Sequence, residues 1–146
     1  MSQTGYIEGY IYHMVHIKNL PGIFKAGALF PLETLRVKKI KHLSIAYDDV
    51  QKLRDRVFVW DSIQQKYFNL HRYVPFYFAI RPPMLHSQHN KNNAEVLIPD
   101  RVSLQAIRRI AVYSDFMKEK VNQIMRSYGA VGIAPQVVVA PELFIA

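Results

Sequence analysis

The chain of 146 residues is half hydrophobic, which is enough to bury one core and favours a single domain over residues 1–146. Its 19 Lys and Arg against 11 Asp and Glu give a net charge of +8, a balance typical of proteins that bind polyanions. The absence of cysteine excludes disulfides, thiolate metal ligands and a cysteine nucleophile, and the lack of a long apolar run or signal-like N-terminus predicts a soluble cytoplasmic protein without a membrane span.

Two elements are predicted within the first thirty residues. Residues 9–15 alternate loosely between apolar and polar side chains, which indicates a strand. A short helix is predicted at residues 20–26, with Asn19 as its N-cap, Pro21 in its first turn and Gly27 as its C-terminal stop.

The middle of the chain predicts a second helix and two strands. The helix covers residues 48–57, since two aspartates open the segment and apolar residues recur at helical spacing, namely Val50, Leu53 and Val57. The aromatic segment 71–80 predicts a central strand with Pro75 at its start, and the apolar run at 94–98 predicts another strand.

The last third predicts a helix between two strands. Ser103 caps a short helical stretch that runs into a strand at residues 110–113. A helix over 114–128 starts at Ser114, stops at Gly129 and carries five apolar residues on one side: Phe116, Met117, Val121, Ile124 and Met125. A strand at 135–140 follows. Because helices and strands alternate without a regular βαβ rhythm, we predict the α+β class with a mixed or antiparallel sheet and flanking helices.

Two histidine pairs, His13 with His16 and His86 with His89, raise the question of a zinc site. A spacing of three at a strand end turns the rings of the first pair to different faces, and neither pair has the glutamate of an H-E-x-x-H motif. We therefore predict no metal site and a structural role for His16. The residue pattern leaves the role of His13 open.

Three other features allow chemistry as well as an ordinary structural role. Glu95 is either a solvated strand end or a carboxylate that stabilises positive charge in glycosyl transfer. The aromatic strand is either core or a surface that stacks a flat ring. The basic residues are either a solvated face or phosphate contacts: Lys52, Arg54, Arg56, Arg108 and Arg109. These patterns alone predict a basic α+β domain that binds a nucleotide or nucleic acid.

Three segments together resemble ADP-ribosyltransferases of the His-Tyr-Glu type. The spacing of the first motif of that superfamily fits four residues: His13, Asn19, Ile23 and Gly27. A Tyr-Phe-Ala segment is matched at residues 77–79, and an acidic residue that opens an apolar strand is matched by Glu95. This resemblance implies a single domain with a split β-sheet core.

More closely, the chain is similar to the DarT family of DNA ADP-ribosyltransferase toxins. The similarity rests on "YHMVHIKNLPGIFKAGAL", "VPFYFAIRPPML", "AEVLI", "IRRIAVY" and "PQVVVAPELF", which recur in the family's order from residue 10 onward. Members of that family place several tens of residues between the P-M-L motif and the catalytic glutamate. In this chain Met84 and Glu95 are only eleven positions apart, which implies a shortened acceptor-recognition segment.

The resemblance implies roles for individual residues. It makes NAD⁺ the co-substrate, bound by His13, Asn19, Tyr77, Phe78 and Met84. Glu95 contacts the nicotinamide ribose as positive charge develops at C1′, and an arginine before the aromatic strand polarises the acceptor base. Arg54 matches that arginine best, and Arg56 is the alternative. An arginine stays protonated, so it polarises rather than removes a proton.

The resemblance also implies substrates and partners. The acceptor is a thymine or guanine base in single-stranded DNA, and the enzyme is the toxin of a toxin–antitoxin system, neutralised by a macrodomain antitoxin. Two alternatives stay open at this point. One is a catalytically impaired relative that binds NAD⁺ or nucleic acid, and the other is ADP-ribose transfer to RNA or protein or simple NAD⁺ hydrolysis.

Overall fold

Four α-helices and four single 3₁₀ turns occur in the part of the chain that the computed structural model describes, which is residues 9–44, 48–78, 95–128 and 135–144. The helices are α1 (Leu20–Ala26), α2 (Leu32–Val37), α3 (Asp48–Arg54) and α4 (Asp115–Ser127). The 3₁₀ turns lie at Ile17–Asn19, Leu70–Arg72, Leu104–Ala106 and Pro141–Leu143. The short helix predicted after Ser103 is therefore a single 3₁₀ turn.

Helix α1 has the predicted bounds but a different N-terminal contact. Gly27 ends it in the left-handed region at φ +73°, and its N–H donates to the carbonyls of Ile23 and Phe24. The prediction that the Asn19 side chain caps this helix is wrong. Asn19 has helical backbone angles and lies at the end of the preceding 3₁₀ turn, so its side chain makes no capping hydrogen bond.

Helices α3 and α4 differ from prediction at particular residues. Helix α3 ends at Arg54, three residues early, because the N–H groups of Arg56 and Val57 bond three residues back and tighten the chain into a turn. Helix α4 begins as predicted, with the Ser114 hydroxyl accepting from the Met117 N–H. Phe116 does not share the apolar face of α4: it is 76% exposed, since it lies nine residues from buried Met125 and so on the opposite side of the helix.

The strands of the described chain pair two by two. Their bounds are β1 (Ala28–Leu29), β2 (Phe58–Asp61), β3 (Lys66–Asn69), β4 (Tyr73–Tyr77), β5 (Glu95–Pro99), β6 (Val102–Ser103), β7 (Arg109–Val112) and β8 (Gln136–Val139). The pairs β1–β6, β2–β3 and β4–β5 are antiparallel, and β7–β8 is parallel. This mixture of small sheets and helices confirms the α+β prediction.

Pro75 lies in the middle of β4 and not at its start. Tyr12 and Tyr77 exchange both backbone hydrogen bonds at 2.8 Å, so alternate residues of β4, including Pro75, direct their backbone groups toward the N-terminal segment. Proline has no N–H to continue that ladder. The strand predicted over residues 9–15 is accordingly reduced to a single bridge at Tyr12, which leaves the Pro75 carbonyl available to a side chain.

Two hydrophobic clusters hold the elements together. The first packs α1 and α4 against β7 and β8 through Leu20, Phe24, Val112, Val121, Met125 and Val137. The second lies under β1, β4 and β6 and consists of Leu29, Val74, Phe76 and Val102. Ile23 packs against both clusters, so α1 joins the two cores and fixes the N-terminal segment relative to β4.

Among the described residues, no helix combines the length and the hydropathy that a crossing of the bilayer requires.

Candidate active site

A cavity of about 200 Å³ lies between the N-terminal segment, α1, α3 and β4. Its polar lining comes from residues far apart in the sequence, namely His13, Asn19, Lys41, His42, Ser44, Gln51, Arg54, His71, Tyr73 and Tyr77. Apolar residues of the cores, such as Ile23, Leu29 and Leu70, form much of the remaining wall. A concave, largely apolar cavity with a few convergent polar groups is the usual form of a small-molecule site.

His13 has a fixed tautomer. Its Nδ1 lies 2.7 Å from the Pro75 carbonyl oxygen, which can only accept, so Nδ1 carries the hydrogen. The ring packs against Phe76 with centroids 5.4 Å apart. Burial lowers the pKa of His13, and the hydrogen bond to Pro75 only partly opposes that shift. The neutral imidazole therefore keeps Nε2 as a hydrogen-bond acceptor at the cavity.

Arg54 and Glu95 form a two-point ion pair. Arg54 Nη1 donates to Glu95 Oε1 at 2.9 Å, and Nη2 donates to Oε2 at 3.4 Å. Both side chains are largely buried, with 19% and 18% of their surface exposed. Parallel guanidinium–carboxylate bonds fix the orientation of both groups. The last residue of α3 thereby holds the first residue of β5 in place.

Tyr77 is the partner of Glu95 across the β4–β5 ladder. Burial, followed by the charge of Glu95 and a hydrogen bond to it, raises the pKa of Tyr77 to about 12, although Arg54 opposes the shift. The phenol therefore stays protonated and donates toward the carboxylate. Of the residues that the resemblance implicates, the fold thus brings Tyr77, Glu95 and Arg54 into one cluster and attaches His13 to the same strand.

The other implicated residues occupy different places. Arg56 is exposed beyond the end of α3, and Phe78 is 47% exposed just after β4. Asn19 lines the cavity while its amide bonds both backbone groups of Leu43 at 2.8 Å. Met84 lies outside the described residues, as do His86 and His89.

A second network, which the sequence did not reveal, adjoins Arg54 through half-exposed Asp55. The Asp55 carboxylate lies 2.8 Å from His71 Nε2 and 3.5 Å from Arg36. The Asp55 carbonyl accepts from the Asn69 side chain at 2.8 Å. The end of α3 is therefore tied to α2 and to the chain that enters β4. Of these residues, His71 could have been noticed in the sequence, as an ionisable residue at the start of the aromatic segment 71–80.

Gln51 supplies a polar atom without a partner. Its Nε2 donates to the Ser44 hydroxyl at 3.2 Å, while its Oε1 is buried and makes no hydrogen bond among the described residues. A buried acceptor left unpaired is costly unless a ligand completes it. Because Gln51 lines the cavity, this acceptor is suited to a donor group on a bound molecule.

The burial of two histidines leads to a testable prediction about how the stability of the fold depends on pH. Burial lowers the pKa of both His13 and His71 in the folded chain, so below about pH 6.5 the unfolded chain binds protons that the folded chain does not. Stability is expected to fall as pH decreases from about 7 toward 5. Urea midpoints at pH 7.5 and 5.5 measure the fall, which should shrink in His71→Gln and persist after replacement of exposed His42. An equal fall in wild type and His71→Gln would contradict the assignment.

His13 and His16 do not act as a pair. His16 Nδ1 accepts from the Lys18 N–H and caps the 3₁₀ turn, whereas His13 bonds to β4. Across the described ranges, no three His, Cys, Asp or Glu side chains are grouped in a way that would hold a metal ion.

The site consists of two paired strands that carry a tyrosine and a glutamate, with a histidine bonded to the tyrosine-bearing strand beside a cavity. These features define a domain with the ADP-ribosyltransferase-like fold. The model of the family described as "ssDNA thymidine ADP-ribosyltransferase, DarT" matches residues 12–94 and 87–145. The chain belongs to the DarT family. The two matched segments overlap at residues 87–94, between Met84 and Glu95, where the resemblance implied a shortened segment.

Relatives and solved structures agree with this family. A DNA ADP-ribosyl transferase of Thermus aquaticus is 38% identical over 81 residues, and one of Thermus sp. 2.9 is 43% identical over 77 residues. These matches cover 56% and 53% of the chain and 34% of each relative, so the matched region spans about a third of their length. Thermus sp. 2.9 DarT in complex with ADP-ribosylated ssDNA superposes with a TM-score of 0.75 at 22% identity, over 98% of this chain and 99% of that one. The same protein with NAD⁺ gives a TM-score of 0.68 at 19% identity, over 94% and 98%.

Proposed function

We propose that the chain transfers ADP-ribose from NAD⁺ to a base of single-stranded DNA and releases nicotinamide. The observation that carries this proposal is the two-point Arg54–Glu95 pair, which adjoins Tyr77 and the cavity that His13 lines. The family match from residue 12 to 145 supports a single ADP-ribosyltransferase-like domain as the unit that acts.

The hydrogen-bond acceptors that line the cavity suit the hydroxyl and amide groups of a dinucleotide. His13 Nε2 accepts from a ribose hydroxyl, and Gln51 Oε1 accepts from a second hydroxyl or amide group. The Tyr77 ring forms part of the cavity wall. The resemblance also assigns three further residues to NAD⁺ binding, namely Asn19, Phe78 and Met84. In this proposal Asn19 acts by holding the chain at Leu43 against α1.

Glu95 contributes negative charge where the reaction develops positive charge. NAD⁺ supplies an ADP-ribosyl group whose bond from C1′ to nicotinamide breaks. A bond from C1′ to a ring nitrogen of the base forms, and the N–H proton of the base passes to solvent as nicotinamide leaves. A fixed carboxylate beside C1′ stabilises that transition state more than the bound substrate. The Arg54 guanidinium and the Tyr77 hydroxyl hold the Glu95 carboxylate in one orientation.

In this proposal Arg54 binds the Glu95 carboxylate and also contacts the acceptor base. Two of its N–H groups are occupied by Glu95, and within the described ranges its other donors are available to polarise a base carbonyl at the cavity that Arg54 lines. Arg56 is exposed and has no such cavity position, so we assign this role to Arg54.

In this proposal the acceptor and the partners are those of the DarT family. The net charge of +8 favours a polyanionic acceptor, and the Thermus sp. 2.9 structures were solved with NAD⁺ and with ADP-ribosylated ssDNA. An unpaired strand is required because the attacking nitrogen must be reachable. In this proposal the enzyme is a cytoplasmic toxin, and its antitoxin is a macrodomain protein that removes the mark.

The decisive experiment offers labelled NAD⁺ with single-stranded DNA, RNA and lysate protein in parallel. The expected result is label on DNA together with an equal amount of nicotinamide. Label on RNA or protein instead, or nicotinamide without a labelled acceptor, would assign one of the alternative transferase or hydrolase activities. Oligonucleotide binding with no turnover on any acceptor would identify an impaired relative.

A further inference from the structure

The hairpin formed by β2 and β3 carries an exposed aromatic face. The register pairs Trp60 with Tyr67 and Phe58 with Asn69, which places these side chains on one side of the ladder. Phe58, Trp60 and Tyr67 are 60%, 52% and 65% exposed. The Trp60 and Tyr67 rings contact each other edge to face at 5.1 Å. Exposed aromatic side chains in one patch mark an interaction surface; we call these three residues the aromatic face.

The opposite side of the hairpin anchors it to the domain. The Arg72 guanidinium lies 3.9 Å from the centre of the Phe68 ring, and the Lys66 ammonium lies 5.0 Å from it. The Asp61 carboxylate accepts from two N–H groups of the turn and, at 3.4 Å, from the Tyr73 hydroxyl. The Arg72 and Tyr73 contacts connect the hairpin to the chain that enters β4 and leave the rings of the aromatic face in solvent.

The charges around the aromatic face favour an anionic partner. Residues 52–72 contain five cationic side chains and only two carboxylates: Lys52, Arg54, Arg56, Lys66 and Arg72 against Asp55 and Asp61. Both carboxylates already have partners within the fold. Of the five, Arg54 is paired with Glu95 and Arg72 covers the Phe68 ring, whereas three are exposed, namely Lys52, Arg56 and Lys66. Exposed cations on the same stretch as exposed flat rings match the chemistry of a single-stranded polynucleotide, in which bases stack and phosphates pair with basic groups.

The hairpin is also continuous with the candidate active site. Arg54 and Phe58 are four residues apart, so their Cα atoms are separated by at most about 14 Å. At its other end, β3 leads through one 3₁₀ turn directly into β4, which carries Tyr77. A strand whose reacting base lies at Arg54 therefore passes within reach of the aromatic face.

We propose that Phe58, Trp60 and Tyr67 stack bases of the acceptor strand next to the base that is modified. This inference rests on the proposed function, because it assigns a holding surface to the same acceptor. The aromatic face is sequence-tolerant, since every base offers a flat π-surface. It contributes affinity and leaves the choice of base to the cavity.

Trp60 is the single tryptophan of the chain, so its fluorescence reports on this face alone. Titration with a mixed-sequence single-stranded oligonucleotide is expected to quench Trp60 saturably, more weakly as salt rises and much less with a duplex of the same sequence. Tyr67→Ala and Phe58→Ala are each expected to weaken oligonucleotide binding roughly 10-fold. Phe116→Ala removes a ring on α4 that is more exposed than those of the aromatic face, and it is expected to leave binding unchanged.

Several results would overturn the inference. These are an unquenched Trp60 at saturating oligonucleotide, equal binding by Tyr67→Ala and wild type, or a dimer that Trp60→Ala dissociates without a change in oligonucleotide affinity. Urea midpoints confirm that each variant is folded. Transfer to DNA without quenching would overturn only this inference, whereas quenching without turnover on any acceptor would overturn only the proposed function.

Discussion

Glu95→Gln is expected to reduce ADP-ribose transfer by about 100- to 1,000-fold while oligonucleotide binding persists. Glutamine keeps the shape of the side chain but removes the negative charge that opposes positive charge at C1′. It also leaves the Arg54 guanidinium, 19% exposed, without its carboxylate partner. Nicotinamide release and DNA labelling measure the loss.

The chain offers a matched control for Glu95. Glu119 pairs with Arg126 at 3.1 Å, but both side chains are about 60% exposed. An exposed pair contributes little, so Glu119→Gln is expected to leave both activity and the urea midpoint unchanged. If Glu95→Gln retained more than a tenth of wild-type turnover, the carboxylate would not be the charge-stabilising group.

Arg54→Lys is expected to lower turnover by about 100-fold even though the positive charge is kept. A lysine ammonium cannot make the two parallel bonds that Arg54 makes to Oε1 and Oε2, so Glu95 loses its fixed orientation. A displacement of about 1 Å at reacting groups is enough for a loss of this size. Turnover at saturating NAD⁺ and DNA checks the prediction.

Arg56→Lys decides between the two arginines that the sequence left open. Arg56 is exposed, and its substitution is expected to change turnover by less than about threefold, with any effect confined to DNA affinity at low salt. Arg126→Lys provides an exposed control. A large loss in Arg56→Lys together with a small one in Arg54→Lys would reverse the assignment.

The sequence predicted those parts of the fold that depend on neighbouring residues. Gly27 stops α1 because an αL position favours glycine, and Ser114 begins α4 because its hydroxyl meets a free N–H three residues on. The apolar runs at β4 and β5 were recognisable as strands because that signal also lies in neighbouring residues. Asn19 was misjudged: its preference for a cap is real, but a partner 24 residues away at Leu43 takes its amide.

The candidate site was only partly predictable. Spacing and family resemblance selected His13, Tyr77 and Glu95, yet neither indicated that Arg54 bonds to Glu95 across 41 residues. The Asp55–His71 contact was likewise absent from any local pattern. Contacts between residues distant in the sequence depend on how helices and strands pack, and a single sequence contains no periodic pattern that indicates them.

By itself the sequence determined the bounds of α1, the start of α4, the strand-forming runs, the basic charge and the residue types available for glycosyl transfer, because local backbone preferences and composition fix these. The tertiary structure decided which arginine meets Glu95, which nitrogen of His13 carries the hydrogen and which aromatic rings stay in solvent. Those outcomes depend on the β4–β5 register, on the Pro75 carbonyl and on the position of Arg54 at the end of α3. Such contacts form only when the separate elements come together around the cores.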